Sequence, residues 1–495
     1  MPDTPTSERT PLMDHDECDS AANHGDSTRF LKETPLPKVQ LGILCLLRIL
    51  DPMCFTQIFP YINELVSDLH VAKDPSQIGF YSGLVESSFA LSQLITIYPW
   101  GYLSDRFGRR PMVLVGVAGL TLTTILFGLS TDFTTVMITR ALAGLFSGNV
   151  AVIPSMLIEI TDKTNQALAF PFFGFWWPVG AIVGPLLGGL FSKPATRYPR
   201  YFDYPFLREY PYFLPCLLVA GFSALSFFVA WFWLNETRQV DKRDPQKASP
   251  PSYGSTDPNS WDSAPQDENF SVRELLNIPI IRALCASGCA LSFLSSAFDV
   301  LFVLFCYSPI RSGGLAFDTS EIGFALSASG FLAALLQAFI MPTILRRVNH
   351  AVMYHFSMKI WPYLFVALPF LNIIARHGVD AGNGQLLTST IALLWTGIVL
   401  ILAFARVAFL SYSVNMLLIK QYAPNSASLG STAGLVQFCI CLSRAIGPAF
   451  ASSMFALSAE KNLLWGYLWV LVMASIGLAG CLVSRNIVKE SSRLQ

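Results

Sequence analysis

The feature that most limits what this chain can fold into is a recurrence. Apolar stretches of about twenty residues, the length a helix needs to cross the hydrocarbon of a bilayer, return along most of the chain. The pattern predicts spans over 40–62, 78–100, 111–131, 134–158, 168–191 and 211–234, and again over 279–308, 321–343, 351–375, 387–418, 428–456 and 463–484. Between the two sets runs ETRQVDKRDPQKASPPSYGSTDPNSWDSAPQDENFS, a linker by composition. Charged residues make up 13% of the 495, against about 25% in soluble domains. The first forty residues are polar and acidic, so no signal peptide is expected and insertion begins at an internal helix.

The expected fold is therefore all-α and integral to the membrane, with twelve transmembrane helices in two six-helix pseudo-symmetric bundles. A disordered cytoplasmic tail over 1–38 precedes a bundle over 39–235. A cytoplasmic linker over 236–275 leads to a second bundle over 276–486, and a cytoplasmic tail over 487–495 closes the chain. Internal repeats support the division. SQIGF at 76–80 returns as SEIGF at 320–324, and each is followed by a glutamine fourteen residues beyond its glycine, Gln93 and Gln337. Arg140 precedes Asn149 by nine residues, as Arg406 precedes Asn415, and Gly184-Pro185 is matched by Gly447-Pro448. Two homologous halves imply a transporter whose site lies between the repeats near the membrane midplane.

Basic residues in short loops mark the cytoplasmic side. Arg106, Arg109 and Arg110 after the second span, with Arg346 and Arg347 after the eighth, place both termini there. One loop runs against this assignment: SKPATRYPRYFDYPFLREYP at 192–211 carries four bases and falls on the outer side. Net charge is zero, which offers nothing to nucleic acid. The ten cysteines mostly sit within apolar runs and the six histidines are scattered, so neither a disulfide framework nor a metal site is expected. A membrane enzyme would need a catalytic cluster at one interface, and no HxxxxD or HExxH pattern is present.

Three strings carry a resemblance. Gly101-Tyr-Leu-Ser-Asp105-Arg106-Phe-Gly108-Arg109-Arg110 resembles the motif between helices two and three of the major facilitator superfamily. GAIVGPLLGG at 180–189 resembles the helix-five motif of its twelve-helix drug:proton antiporters, and ITRALAGLFSGN at 138–149 their helix-four arginine motif. Within that group WGYLSDRFGRRP and LNET are most similar to the zinc-induced-facilitator-like branch of fungi and plants. The resemblance implies alternating access. Asp105 would accept hydrogen bonds from a facing helix N-terminus and pair with Arg109 four residues on, forming a cytoplasmic latch between the halves that breaks in the other state. The second half has MPTILRRVNH at this place, without the acid or the glycines, so the latch should be one-sided. Gly180, Gly184, Gly188 and Gly189 recur at helical spacing and offer a smooth strip for close packing, with Pro185 permitting a bend.

Ionisable residues inside spans are costly and are functional candidates by default. Arg48 and Asp51 are three apart on one face of span one, followed by Pro52; Glu86 lies in span two and Arg140 in span four. Asp299 lies deep in span seven, Arg406 in span ten and Arg444 in span eleven. Arg48 and Arg140 either serve the transport cycle or neutralise Asp51 and Glu86 as fixed pairs; Arg406 either lines the cavity or supports its helix with Asn415. Asp299 has no charged neighbour in sequence. Phe175, Trp176 and Trp177 either cover a flat or cationic ligand or face lipid.

The expected activity is export of small organic molecules, such as a drug or secondary metabolite, by proton-coupled antiport. The proton gradient is the energy source and there is no cofactor. The partners are the small-molecule substrate and the lipid bilayer, and the working unit is a monomer. A facilitator or proton symporter importing a nutrient such as a sugar, or a non-transporting sensor, is the alternative. SERTPLM at 7–13 resembles an acidic dileucine-type signal for vacuolar membranes, which leaves plasma membrane and vacuole both open.

Overall fold

A computed structural model of the chain describes residues 35–72, 74, 77–162, 165–237, 272–378, 387–424 and 429–494. The tail with its sorting string, and all but the ends of the linker, lie outside the described residues. Those described are helical or in turns, with no strand among them.

Twelve long helices form the two bundles: α1 (Lys38–Thr56), α2 (Ile78–Phe107), α3 (Arg109–Gly128), α4 (Phe133–Ile160), α5 (Gln166–Phe191) and α6 (Phe213–Trp233), then α7 (Pro279–Tyr307), α8 (Thr319–Ile340), α9 (His350–His377), α10 (Thr388–Tyr422), α11 (Leu429–Glu460) and α12 (Leu468–Leu494). Eleven are long and apolar enough to cross a membrane. α2 has the length, at 30 residues, but spends apolar character on Ser82, Glu86, Ser87, Ser88, Ser92 and Gln93. Two of them, Ser87 and Gln93, hydrogen-bond to α11 of the other half.

Local chemistry sets several boundaries. Asp132 caps α4, accepting from the Thr135 amide at 2.8 Å and its hydroxyl at 2.7 Å. Those bonds, the hydroxyl's first, hold the Asp132 carboxyl below its ordinary range. Asp318 and Glu321 form a capping box at the start of α8. Two spans expected to be continuous are interrupted at corresponding places: α4 breaks at Ser147-Gly148 and α10 at Leu410. Each break lies between the repeated arginine and the repeated asparagine. α8 widens over Leu336–Ile340, which leaves Gln337 exposed while its counterpart Gln93 is buried. The repeats share a plan but not a chemistry.

Each half packs in the same way, α1 against α5 and α3 against α6, then α7 against α11 and α9 against α12. The halves meet through α2 with α11 and α5 with α8. Both crossings centre on a repeated Gly-Pro pair. A methyl on Gly323 would lie 2.8 Å from the Pro185 carbonyl and 2.9 Å from the Gly189 Cα; one on Gly83 would lie 2.8 Å from the Pro448 carbonyl. Only hydrogen fits at such contacts.

These crossings close one mouth of the molecule. There Arg197 pairs with Asp318 at 2.6 Å and the Thr319 hydroxyl donates to Glu64 at 2.5 Å. Lys193 bridges Glu64 and Asp68, each at 2.8 Å. The 192–211 loop is itself folded into three short helices, each opened by a proline: Pro194, Pro199 and Pro205. At the opposite mouth Tyr98, Tyr102, Phe107 and Phe339 are exposed. Among the described residues, the hydrogen bonds joining the halves lie at the closed mouth or the middle of the bundle.

Candidate functional site

The middle of the molecule holds a polar constellation contributed by both halves. Asp51 sits one turn before the end of α1. Ser147, in the break of α4, donates its hydroxyl to Asp51 Oδ1 at 2.6 Å. Gln93 of α2 donates Nε2–H to Ser147 Oγ at 2.8 Å, and Arg444 of α11 donates Nη2–H to Gln93 Oε1 at 2.8 Å. The three bonds form an unbroken line from a guanidinium in the second half to a carboxylate in the first.

The arginines expected to hold Asp51 do not do so directly. Arg48, though on the same face, lies over the Phe173 ring at 5.3 Å, and its Nε has no hydrogen-bond partner. Arg140 is enclosed by three rings, Phe89 at 4.6 Å and Phe55 and Phe127 at 6.0 Å, with its Nε and Nη2 unpartnered. Glu86, 4% exposed, is within electrostatic range of Arg140 and Asp299 and makes no direct ion pair among the described residues. The fixed pairs considered for Asp51 and Glu86 are absent from this conformation. Ring faces solvate the two arginines instead, a weaker and less directional support than a carboxylate.

Asp299, solitary in sequence, has a partner in space. Arg406 of α10 approaches it to 4.0 Å, donates Nε–H to Ser329 Oγ at 2.7 Å and stacks over Phe409 at 4.6 Å. Asn415 is not part of this support, and its Oδ1 is unpartnered. The aromatic run of α5 is divided differently from expectation. Phe175 and Trp177 are exposed, and Trp176 packs against the core of the first half with its edge toward Phe172 and Phe175. The ring that meets a cation is Phe173, two residues before the expected set.

The charged motif after span two is mostly helix. Gly101, Asp105 and Arg106 belong to α2, and the chain turns at Gly108, whose φ of 108° suits glycine. Asp105 pairs with Arg109 at 2.6 Å, and both belong to the first half. Arg109 also reaches Glu159 at 3.0 Å and Ser104 at 2.6 Å. The acid at the helix N-terminus is Glu236, which accepts from the Arg109 amide at 2.8 Å and the Arg110 amide at 3.0 Å, while Arg110 donates to the Trp231 carbonyl at 2.5 Å. In this conformation the motif ties α2, α3, α4 and α6 together within one bundle. With this mouth open, it spans no gap.

The helix-five strip does two jobs. Methyls at Gly180, Gly184 and Gly188 would meet α1 and the turn beyond it, at 2.3 Å from the Ile49 carbonyl, 2.4 Å from Thr56 Oγ1 and 1.9 Å from the Gln57 carbonyl. Gly189 and the Pro185 carbonyl instead face α8 of the other half. Sequence reasoning placed Asp51, Glu86, Asp299 and the arginines, but left Gln93 and Ser147 out and gave Arg444 no role. Gln93 was visible only as one end of a repeat, and Ser147 only as the residue before a glycine at a helix break. Nothing in linear spacing joins residues 93, 147 and 444.

Comparison with known proteins fits this architecture. Residues 44–448 match the family profile described as Major Facilitator Superfamily. The chain is 38% identical over 486 residues to the major facilitator-type transporter psiT2 of Psilocybe cyanescens, covering 93% of this chain and 92% of that one. It is 26% identical to the efflux pump azaK of Aspergillus niger, covering 90% and 87%, and 29% identical to the protein ZINC INDUCED FACILITATOR-LIKE 1 of Arabidopsis thaliana, covering 82% of each. Duplicated six-helix halves, small-residue crossings after each Gly-Pro pair and a polar centre between the halves agree with these matches: the chain belongs to the major facilitator superfamily and is a multi-pass membrane transporter, not an enzyme.

Proposed function

We propose that the chain exports small organic molecules by proton-coupled antiport, through alternating access. One observation carries this reading. Of the three acids at the centre, Asp51 is held by a hydroxyl, Glu86 makes no direct ion pair among the described residues and Asp299 is 4.0 Å from its arginine. Each can gain or lose a proton without breaking a tight ion pair, as a proton carrier must. A carboxylate clamped by a bidentate arginine could not do this. Export is supported by similarity to a relative named as an efflux pump. The basic turn at Arg106, Arg109 and Arg110 supports a cytoplasmic position for the open mouth and both termini. The transporter would act as a monomer in the plasma or vacuolar membrane, drawing on the proton gradient without a cofactor.

The test uses everted vesicles and a panel of fluorescent organic compounds, with and without an imposed pH gradient. Wild-type protein should accumulate a subset of compounds only when the gradient is present. Asp51→Asn should lose that accumulation while retaining counterflow exchange. Accumulation independent of the gradient points to facilitation, and uptake in the proton's own direction points to symport.

A further inference from the structure

The geometry points to Gln93 as a positioning residue that makes the ionisation of Asp51 depend on which mouth is closed. This rests on the antiport reading and adds to it a device for direction. The line from Arg444 through Gln93 and Ser147 to Asp51 is oriented throughout: cation, amide and hydroxyl each donate toward the carboxylate. Donors in series polarise one another, and a carboxylate receiving such a donor is favoured in its charged form. Gln93 and Ser147 are buried, at 4% and 0% exposure, so water does not substitute readily for either bond.

The head of the line belongs to the second half and the rest to the first. Arg444 lies on α11 one turn before Pro448, whose carbonyl meets Gly83 of α2 at the crossing that seals the closed mouth. Opening that mouth moves α11 away from α2. The bond between Arg444 and Gln93 is then lost, while Gln93, Ser147 and Asp51 stay together within the first half. The charged and titratable groups facing Asp51 are Arg48 and Cys54 from α1 and Arg444 from α11; α2 and α4 present only Gln93 and Ser147. Separation therefore removes a cation from the environment of Asp51 and leaves its other neighbours in place.

The proton step follows in balanced form. With the line broken, an O–H bond of a hydronium ion at the newly opened mouth breaks, its proton forms an O–H bond on the Asp51 carboxylate, and a water molecule is left. With the line restored, that O–H bond breaks to water at the opposite mouth as the Ser147 donor and the Arg444 charge favour the anion. Gln93 transfers nothing. It transmits the position of α11 to the carboxylate, and its counterpart Gln337, exposed on the widened turn of α8, has no such part.

The test reads protonation directly and needs no transport. The carboxylic C=O infrared band of Asp51, assigned by its loss in Asp51→Asn, is titrated in purified full-length protein. Gln93→Leu keeps the bulk and removes both bonds. It should raise the proton affinity of Asp51 about tenfold, as expected for removal of one favourable donor or charge. Arg444→Gln, which leaves the first half untouched, should do the same, and serves if Gln93→Leu does not fold. Arg444→Lys should restore part of the difference. Unchanged titration of Asp51 in both Gln93→Leu and Arg444→Gln overturns the inference. Failure of the wild type to accumulate compounds under a pH gradient would instead count against the antiport reading, and the two results are scored separately.

Discussion

Asp105 and Glu236 show how two acids of one motif region divide their work. Asp105 is largely exposed and pairs with Arg109, and an exposed ion pair contributes about 0–1 kcal/mol. Asp105→Asn should therefore fold normally, with a melting temperature close to wild type. It should still cut turnover at least about tenfold if, as the resemblance implies, the acid becomes a contact between the halves when its own mouth closes. Wild-type turnover would reduce Asp105 to a partner of Arg109. Glu236 caps two backbone amides, and Glu236→Gln should cost about 1 kcal/mol of stability, read as a drop in melting temperature. Asp51, Glu86 and Asp299 were legible in the sequence because a charge inside an apolar run needs no structure to be noticed. Gln93 and Ser147 were not, since neutral polar residues are common in spans and acquire meaning only from neighbours on other helices. Partner choice failed for the same reason. Arg48 is three residues from Asp51 yet turns to Phe173, while Arg444, nearly four hundred positions away, heads the hydrogen-bonded line that reaches the carboxylate.

The helices themselves were placed well, because twenty apolar residues have few other uses, but their interruptions were not. The break of α10 falls where neither proline nor glycine marks it, and that of α4 is marked only by Ser147-Gly148; the paired arginine and asparagine at nine-residue spacing bracket both places. The α5 glycines offer a graded test. Gly188→Ala puts a methyl 1.9 Å from the Gln57 backbone oxygen, which cannot move as a flexible side-chain tip would. It should lower the melting temperature by several degrees, in line with overpacking costs of about 1–3 kcal/mol. Gly174→Ala, on the same helix with nothing within 4 Å, should be neutral or slightly stabilising. Equal effects at the two positions would contradict close packing as the purpose of the strip. Gly189→Ala presses on α8 rather than α1, so it should disturb the balance between conformations more than the fold of the first half.

The two bundles repeat one packing scheme and meet along two crossings. Co-expressed residues 1–240 and 270–495 should therefore assemble into an active transporter without a covalent linker, checked by co-purification and vesicle uptake. Fragments that each insert but do not associate would show that the crossings are too weak alone. The four bases of the 192–211 loop, which ran against the orientation rule, are partly neutralised: Lys193 lies between Glu64 and Asp68, and Arg197 meets Asp318. Burial lowers the proton affinity of Lys193, but its bonds to Asp68 and Glu64 outweigh this and hold the ammonium above the ordinary lysine value. Its tie to Glu64 and Asp68, all three in the first half, is thus complete below pH 10.5 and fades only as pH climbs through that raised value. Neutral-range pH changes should leave the contact unaltered. Dissolved salt is another matter. Partly exposed ion pairs weaken as ionic strength rises, and the Debye length falls from about 10 Å at 0.1 M to about 3 Å at 1 M. A fluorophore pair placed across this mouth should report growing separation as potassium chloride is added, and Arg197→Gln should blunt the response. A mouth fastened in part by an ion pair makes the surrounding electrolyte an effector with no binding site of its own: a change in cell salt would retune the resting balance of the transporter before any substrate arrives.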